Sequence, residues 1–450
     1  MIGVLAVAGC AGEGDGEAAS TTGSPESTQP ATSSSAVVPK SGPLAPEVAE
    51  AVEDLLSGVL LAEWDVDDVD SLVAEGDVRT AWLIADLLRF YQTDSRVERL
   101  SAAFTDLTGE ERNTEEVEFV WATNQLLSAD IPAWEGYPDA KRKIFGFVSP
   151  VWDRFFEEDH GIDWRIVTWG GVFPDTRPLD DNGVCERCIP ALDHPETTEA
   201  SGGDWYPDRN VVFGVVVNGE ALALPKHQME VHEMVHVTLG GRELGIPYCT
   251  LCGSAQAYYV DNIAGREWVV LRTSGLLSRS NKLMYDLTTG SAIDTFTGEA
   301  LTGQLAKEGV TLEQVSVVAS TWGDWKDAHP ETGILAEDGG IGRTYVDDPL
   351  QGRDEAGPIF PVGKVDRRLP TQEKVVGVIK ADGTPVAFPV LEARRALREE
   401  EFEFEGLTVR LEDSIRVYDS RGNELTSHES FWFAWSQFHP GSLLWAPPDS

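Results

Sequence analysis

The chain is 450 residues long, 42% hydrophobic and 9% aromatic, so it can bury sizeable cores and divide into two or three domains. Its 76 acidic residues against 35 basic ones leave a formal charge of −41. Such a field repels nucleic acid and anionic headgroups and argues against both as partners. No apolar run approaches the roughly 18 residues that a membrane-spanning helix needs.

The opening stretch MIGVLAVAGCAGEGDGEAAS contains Val7-Ala8-Gly9-Cys10. Small residues before a cysteine resemble the bacterial lipobox, in which the cysteine is lipidated and becomes the mature N-terminus. The stretch lacks a basic n-region and its apolar part is short, as it would be if translation began upstream. Residues 1–10 therefore read as a signal remnant and Cys10 as the lipid-bearing residue. The expected location is extracytoplasmic, anchored to the cell membrane through that lipid only, where disulfides are permitted. Residues 11–45 are rich in Ser, Thr, Gly, Pro and Ala, the composition of a disordered linker. As a flexible coil of ~35 residues it would span on the order of 30 Å.

Residues 46–160 read as a helical domain. In GDVRTAWLIADLLRFY, Asp77 is placed to cap a helix, and Val78, Ala81, Trp82, Ala85 and Leu88 recur at three- and four-residue spacing. TEEVEFVWATNQLLSAD repeats the pattern with Val117, Val120, Trp121 and Leu127. Packed helical hairpins are predicted, with these Trp and Leu stripes as core.

From residue 161 the periodicity changes to short strands and turns. NVVFGVVVNGEALALP is β-rich on both sides of Asn218-Gly219, a strong hairpin signal. A short helical stretch follows, holding His232-Glu233-Met234-Val235-His236 and ending at Gly240-Gly241, and then further strands. KVVGVIKADGTPVAFP repeats the earlier hairpin, with Gly377, Gly383 and Pro389 in the places of Gly214, Gly219 and Pro225. WGDWKDAHP and WFAWSQFHP share W-x-x-W-x-x-x-H-P, where the His-Pro step ends a helix, so His329 and His439 read as structural. The fold class expected is α+β: a helical N-terminal domain, then a β-rich domain over 161–450. An internal duplication is expected there, with copies at about 210–335 and 374–445. The second copy lacks both the H-E-x-x-H letters and the cysteines, so what the first copy alone retains is a candidate for function.

Apart from Cys10 the cysteines form two C-x-x-C pairs, Cys185/Cys188 and Cys249/Cys252. Structural disulfides, one zinc ion held by all four thiolates, and a redox dithiol are each compatible with that spacing. On a helix, H-E-x-x-H would set His232 and His236 on one face for zinc, with Glu233 polarising a bound water. The third ligand is poor: Arg242 and Leu239 stand where a metzincin has His and Gly, and Glu243, Asp261 and Glu267 are the remaining donors.

The ordered segments IPALDHP, VVFGVVVNGEALALP, HEMVHVTLGG, YCTLCGSAQAYY, SGLLSRSNKLMYDLTTGSAIDTFTGEALTG and WGDWKDAHP resemble domain-of-unknown-function family 3179, a bacterial family, across about residues 161–445. The family pattern resembles H-E-I-V-N-D at the first motif, so His236 falls where Asn is usual, which implies that the letters are not those of a zinc protease. Its C-P-L-C-G-S-A motif maps onto Cys249 through Ala255, and selenocysteine within that motif in some similar proteins implies redox chemistry. His232, Glu233, Ser274 and Asp286 are expected as supporting residues, with His232 and Glu233 near the pair. Leu287 and Ile293 depart from the family's Arg and Trp, which would alter substrate preference if they line a site. The function expected is thiol redox or soft-metal chemistry at Cys249 and Cys252. Zinc or another thiophilic metal is the possible cofactor, with Cys185, Cys188, Cys249 and Cys252 as its candidate ligands. The alternatives are a non-catalytic binding lipoprotein with structural cysteines and a zinc metalloprotease.

Overall fold

The structure, a computed structural model, describes residues 41–447 apart from 62, 65, 93–94, 158–160 and 354–356. Cys10, the signal remnant and the linker as far as residue 40 lie outside the described residues.

Helices α1 (Pro46–Leu61), α2 (Val66–Glu75), α3 (Ala81–Phe90), α4 (Val97–Thr108), α5 (Glu118–Ser128) and α6 (Tyr137–Val148) form the N-terminal part. Every residue of α3 is buried, because AWLIADLLRF is apolar almost all round and packs against α4, α5 and α6. Asp77 does cap, accepting from the Arg79 backbone N–H at 3.0 Å, though it caps the single 3₁₀ turn that leads into α3. The two charged residues of α3 are satisfied where they are buried. Asp86 accepts from Lys141 and from the Tyr137 hydroxyl, each at 2.8 Å. Arg89 donates to the Trp169 carbonyl at 2.6 Å and lies over the rings of Phe119 and Trp169.

That last contact crosses into the β-rich part. An antiparallel sheet of Val167–Trp169, Leu271–Ser278, Asn281–Asp286 and Ala292–Asp294 supplies Val167, Trp169, Leu276, Leu283 and Tyr285 to the helical core. Trp152, after α6, donates to the Ser274 carbonyl at 2.8 Å. Helices and first sheet therefore share one apolar cluster.

Two further sheets have the same plan. In one, Val318–Thr321, Val211–Val217, Glu220–Pro225, Gly333–Leu335 and an additional Thr197–Glu199 lie in that order. In the other the order is Ser427–Phe431, Lys374–Ile379, Pro385–Pro389 and Leu443–Leu444. Both centre on an antiparallel hairpin and add a parallel strand beside it; in the first sheet Thr197–Glu199 then pairs antiparallel beyond that strand. The first hairpin turns at Asn218-Gly219, where both residues have positive φ (50° and 84°), as its two-residue loop requires. Gly214 and Gly377 each lie under a tryptophan, Trp325 and Trp435, so close that a Cβ at either would collide with the ring. Both indoles donate to a hydroxyl seven residues on, Thr332 at 2.9 Å and Ser442 at 2.8 Å. His329 and His439 donate their backbone N–H groups to the carbonyls of those tryptophans and end the two helices, as the His-Pro steps predict.

The H-E-x-x-H segment differs from expectation. Its helix, Lys226–His232, stops at His232; Glu233 has left-handed φ of 52°, and Met234–Leu239 is a strand. That strand pairs antiparallel with Arg242–Cys249 through Gly240-Gly241, whose φ values of 57° and 73° close the turn. Val235, Val237 and Thr238 favour the extended backbone, and the two glycines make a hairpin rather than a helix end.

Candidate active site

Strand Arg242–Cys249 delivers Cys249 at its last position, and one 3₁₀ turn, Thr250–Cys252, carries the chain round to Cys252. Gly253 then takes φ of 59°, a conformation that suits glycine, and a Cβ there would lie 2.8 Å from the Phe431 ring. The turn brings the two sulfurs to 2.7 Å from each other as free thiols. Their surroundings differ. Both belong to the apolar cluster of Phe431, Trp432 and Trp435, but only Cys252 is fully buried, its Sγ 3.0 Å from Asn281 Oδ1 and 3.4 Å from the Ser280 carbonyl. Burial, with Cys249 beside it, pushes the Cys252 thiol well above the ordinary range.

Cys249 is itself buried, at 1% exposure, but it lines a pocket of about 230 Å³ whose rim reaches the exposed Arg353 and Ile359. Glu233, Thr250, Thr273 and Lys282 share that wall with Glu230 and Arg353, and Val172, Ile189, Leu276, Leu277 and Phe360 supply its apolar part. The left-handed turn at Glu233 ends the helix with this residue at the cavity. Glu233 Oε1 accepts from the Thr250 hydroxyl at 2.9 Å, and Oε2 lies 3.3 Å from Lys282 Nζ. Lys282, from strand Asn281–Asp286, also donates to the Glu233 carbonyl at 2.5 Å. Burial lowers the Lys282 ammonium from its usual value, and the charges of Glu233 and Cys249 work against that shift. The hydroxyl of Thr273 is buried with no hydrogen-bond partner among the described residues. A sulfur, two carboxylates, an ammonium, a guanidinium and an unsatisfied hydroxyl thus line one small, partly apolar chamber, as binding sites for small molecules do.

The other residues expected at the site fall elsewhere. His232, one residue from Glu233, is bonded through Nδ1 to the Pro190 carbonyl at 2.8 Å and through Nε2 to the Tyr345 hydroxyl at 2.7 Å. A carbonyl only accepts, so Nδ1 carries the proton and Nε2 takes the Tyr345 hydrogen bond. Burial lowers its pKa to about 4, which keeps the ring neutral at pH 7. His236 sits on the strand, its Nε2 donating to the Leu271 carbonyl at 3.0 Å. The two imidazoles are on different elements and each is already bonded, so the metalloprotease reading fails on its geometry. Ser274 occupies a β-bulge, where its hydroxyl donates to the Leu283 carbonyl at 2.6 Å and accepts from the Leu276 N–H at 3.0 Å. Asp286 accepts from the Val270 and Thr289 N–H groups and the Thr289 hydroxyl. Both shape the sheet rather than the cavity wall. Leu287 and Ile293 do not line the cavity.

Cys185 and Cys188 are joined as a disulfide with Cα atoms 5.6 Å apart. Among the described residues, the cluster of three or more donor atoms within 4.8 Å of one another is Asp175, Cys185 and Cys188. The two cysteine pairs do not converge, so the four-thiolate zinc site fails, since a tetrahedral ion needs all four sulfurs within about 4 Å of each other. Asp175 is itself engaged by Arg177 at 2.6 Å and 2.8 Å and by the Ala191 N–H at 2.9 Å. Lys282 and Thr250 were missed from the sequence. The signal for Lys282 was a lone cation in the apolar strand Asn281–Asp286, where a charge stays only if paired.

The fold and site define a protein with a helical N-terminal region packed on a β-rich domain, which holds a buried dithiol at the wall of a small chamber. Residues 186–420, more than half of the chain, match the family described as "Protein of unknown function (DUF3179)", and the protein belongs to that family. Neither the curated proteins nor the solved structures yield a significant match to the chain.

Proposed function

We propose that the protein carries out two-electron thiol redox chemistry on a small molecule admitted to the chamber, with Cys249 attacking and Cys252 resolving. The observation that carries this reading is the asymmetry of the pair: one sulfur lines the chamber beside Lys282 and Glu233, and the other lies 2.7 Å behind it in the core. For a small disulfide as substrate, the Cys249 thiolate attacks one sulfur and expels the other half as a thiol. Cys252 then attacks Cys249, forming the Cys249–Cys252 disulfide and releasing the second thiol. Two electrons and two protons pass to the substrate. The Lys282 ammonium stabilises the attacking thiolate, and a buried Cys249 excludes folded proteins as direct substrates.

Two wider proposals accompany it. The lipobox-like Val7-Ala8-Gly9-Cys10 and the disulfide at Cys185–Cys188 support an envelope lipoprotein, in a compartment where disulfides persist. The shared strand order, the Gly–Trp contacts at Gly214 and Gly377 and the repeated indole–hydroxyl bonds support descent of the two like sheets from one duplicated unit. The burial of Cys252 among aromatic rings favours, as a second reading, a structural cysteine pair in a binding protein. Redox titration in glutathione buffers, wild type against Cys252→Ser, separates the two. A midpoint within the range of known oxidoreductases, about −270 to −120 mV, supports the redox reading, and a pair that stays oxidised below about −300 mV is structural.

A further inference from the structure

We propose that Cys185–Cys188 is a shuttle dithiol that returns electrons to the Cys249–Cys252 pair after each turnover. The inference rests on the redox reading above, which leaves the inner pair oxidised and enclosed. Cys249 and Cys252 are 1% and 0% exposed, so a protein reductant cannot dock on either sulfur. The outer pair lies where such a reductant can reach it. Cys185 and Cys188 are half-buried on a surface segment whose Val184 is 92% exposed and whose Glu186 and Arg187 are also exposed.

The same segment reaches the chamber. Ile189, next in the chain to Cys188, lines it together with Cys249, and so does Val172, whose neighbour Phe173 bridges to Cys188. The segment is held by Arg177 to the carbonyls of Asp181 and Gly183, by the Phe173 N–H to the Arg187 carbonyl, and beyond Ile189 by the Pro190 carbonyl accepting from His232 and the Ala191 N–H donating to Asp175, so Cys185 and Cys188 lie within its exposed crest between anchored ends. Stability does not account for the outer disulfide, because closing so short a loop removes little entropy from the unfolded chain. The sulfurs of the two pairs are not grouped within 4.8 Å of one another, so exchange requires Cys188 to leave its bridge to Phe173 and turn inward about the anchored Pro190–Ala191 step.

Cys188 is the residue nearer the chamber wall and therefore the attacking one. Its thiolate displaces Cys252 from Cys249, forming a Cys188–Cys249 disulfide while Cys252 takes up a proton. The Cys185 thiolate then attacks Cys188, closing the outer disulfide and releasing Cys249. Two electrons and two protons move inward, and an external protein dithiol of the thioredoxin type reduces the outer disulfide again.

Two experiments on the full chain test this. In Cys185→Ser/Cys252→Ser, where neither resolving thiol remains, peptide mapping without reductant should find Cys188 linked to Cys249; absence of that peptide overturns the relay. In Cys185→Ser/Cys188→Ser, turnover of a small disulfide is compared with a thioredoxin-type dithiol and with dithiothreitol as reductant. The ratio of the two rates should fall at least about tenfold from wild type. An unchanged ratio overturns the relay and leaves the redox reading standing. If wild-type protein turns over with neither reductant, the redox reading itself fails and the relay with it.

Discussion

The Glu233–Lys282 pair offers the most direct test of how the chamber is built. The side chains are 13% and 3% exposed, with 3.3 Å between Oε2 and Nζ. At an effective dielectric of about 20, two unit charges at that separation attract by about 5 kcal/mol, and their removal from water offsets much of it. Removing one partner leaves the other buried without its counter-charge. Lys282→Met is therefore expected to cost about 3 kcal/mol of unfolding free energy. Glu233→Gln, which leaves the backbone carbonyl to receive Lys282, is expected to cost about 2 kcal/mol. The double variant strands no charge, so its loss should fall short of the sum by about 2 kcal/mol. Urea unfolding followed through the fluorescence of the 14 tryptophans measures all corners of the cycle. A coupling below about 0.5 kcal/mol would refute the claim that these charges sustain one another. The same Lys282→Met protein should alkylate at Cys249 more slowly than wild type, since the ammonium that shares the pocket wall with the reacting sulfur is gone.

Cys252→Ser should accumulate Cys249 as a mixed disulfide with a small disulfide probe, visible by intact mass, whereas Cys249→Ser should leave Cys252 unmodified in its aromatic surroundings; modification of Cys252 at an equal rate would contradict the roles assigned. Gly253→Ala combines a left-handed φ of 59° with a Cβ 2.8 Å from Phe431, and should cost about 2 kcal/mol in the same unfolding assay. Stability should also fall on acidification. Burial lowers His232 and His439 to about 4 and His428 to about 3 from an unfolded value of 6.5. Below pH 6.5 the unfolded chain takes up protons that these folded histidines refuse, so their contribution is complete above pH 6.5 and drains away as pH falls towards 4. Asp294, raised by burial from 3.8 to about 6, has the opposite sign: the folded state holds its proton between those values, which offsets one of the three histidines. The net is about two protons, or about 3 kcal/mol per pH unit between pH 6 and 4. A flat profile over that window, or an unchanged slope in His428→Gln, counts against the burial argument.

The outline of the fold was legible where local pattern and tertiary packing agree. Trp82, Ala85 and Leu88 show helical spacing because α3 packs against neighbours on several sides, and Asn218-Gly219 names its own turn. Gly214 and Gly377 were visible only as a repeated letter. Their reason, an indole ring lying on the backbone, involves Trp325 and Trp435, far along the chain. Lys282 stood out only as a cation in a buried strand, and what it does there was not legible, because its partner Glu233 is 49 residues away.

The H-E-x-x-H letters show why a motif has to be read with its backbone. Zinc chemistry needs the two histidines one helical turn apart, and that condition resides in φ and ψ rather than in the spelling. Here the chain leaves the helix at the glutamate. Because Glu233 adopts φ of 52°, its carboxylate meets Thr250 and Lys282 while His232 bonds the Pro190 carbonyl and Tyr345. The following residues, Met234 to Leu239, then run as a strand that pairs with the one ending at Cys249. The left-handed residue does two things at once: it ends the helix and sets an acid at the chamber that the neighbouring strand supplies with a thiol. An Ala at 233 would have to hold the same φ at a cost of about 1 kcal/mol and would carry no acid. The glutamate's place in the motif therefore follows from the turn and the chamber, with no metal required to explain it.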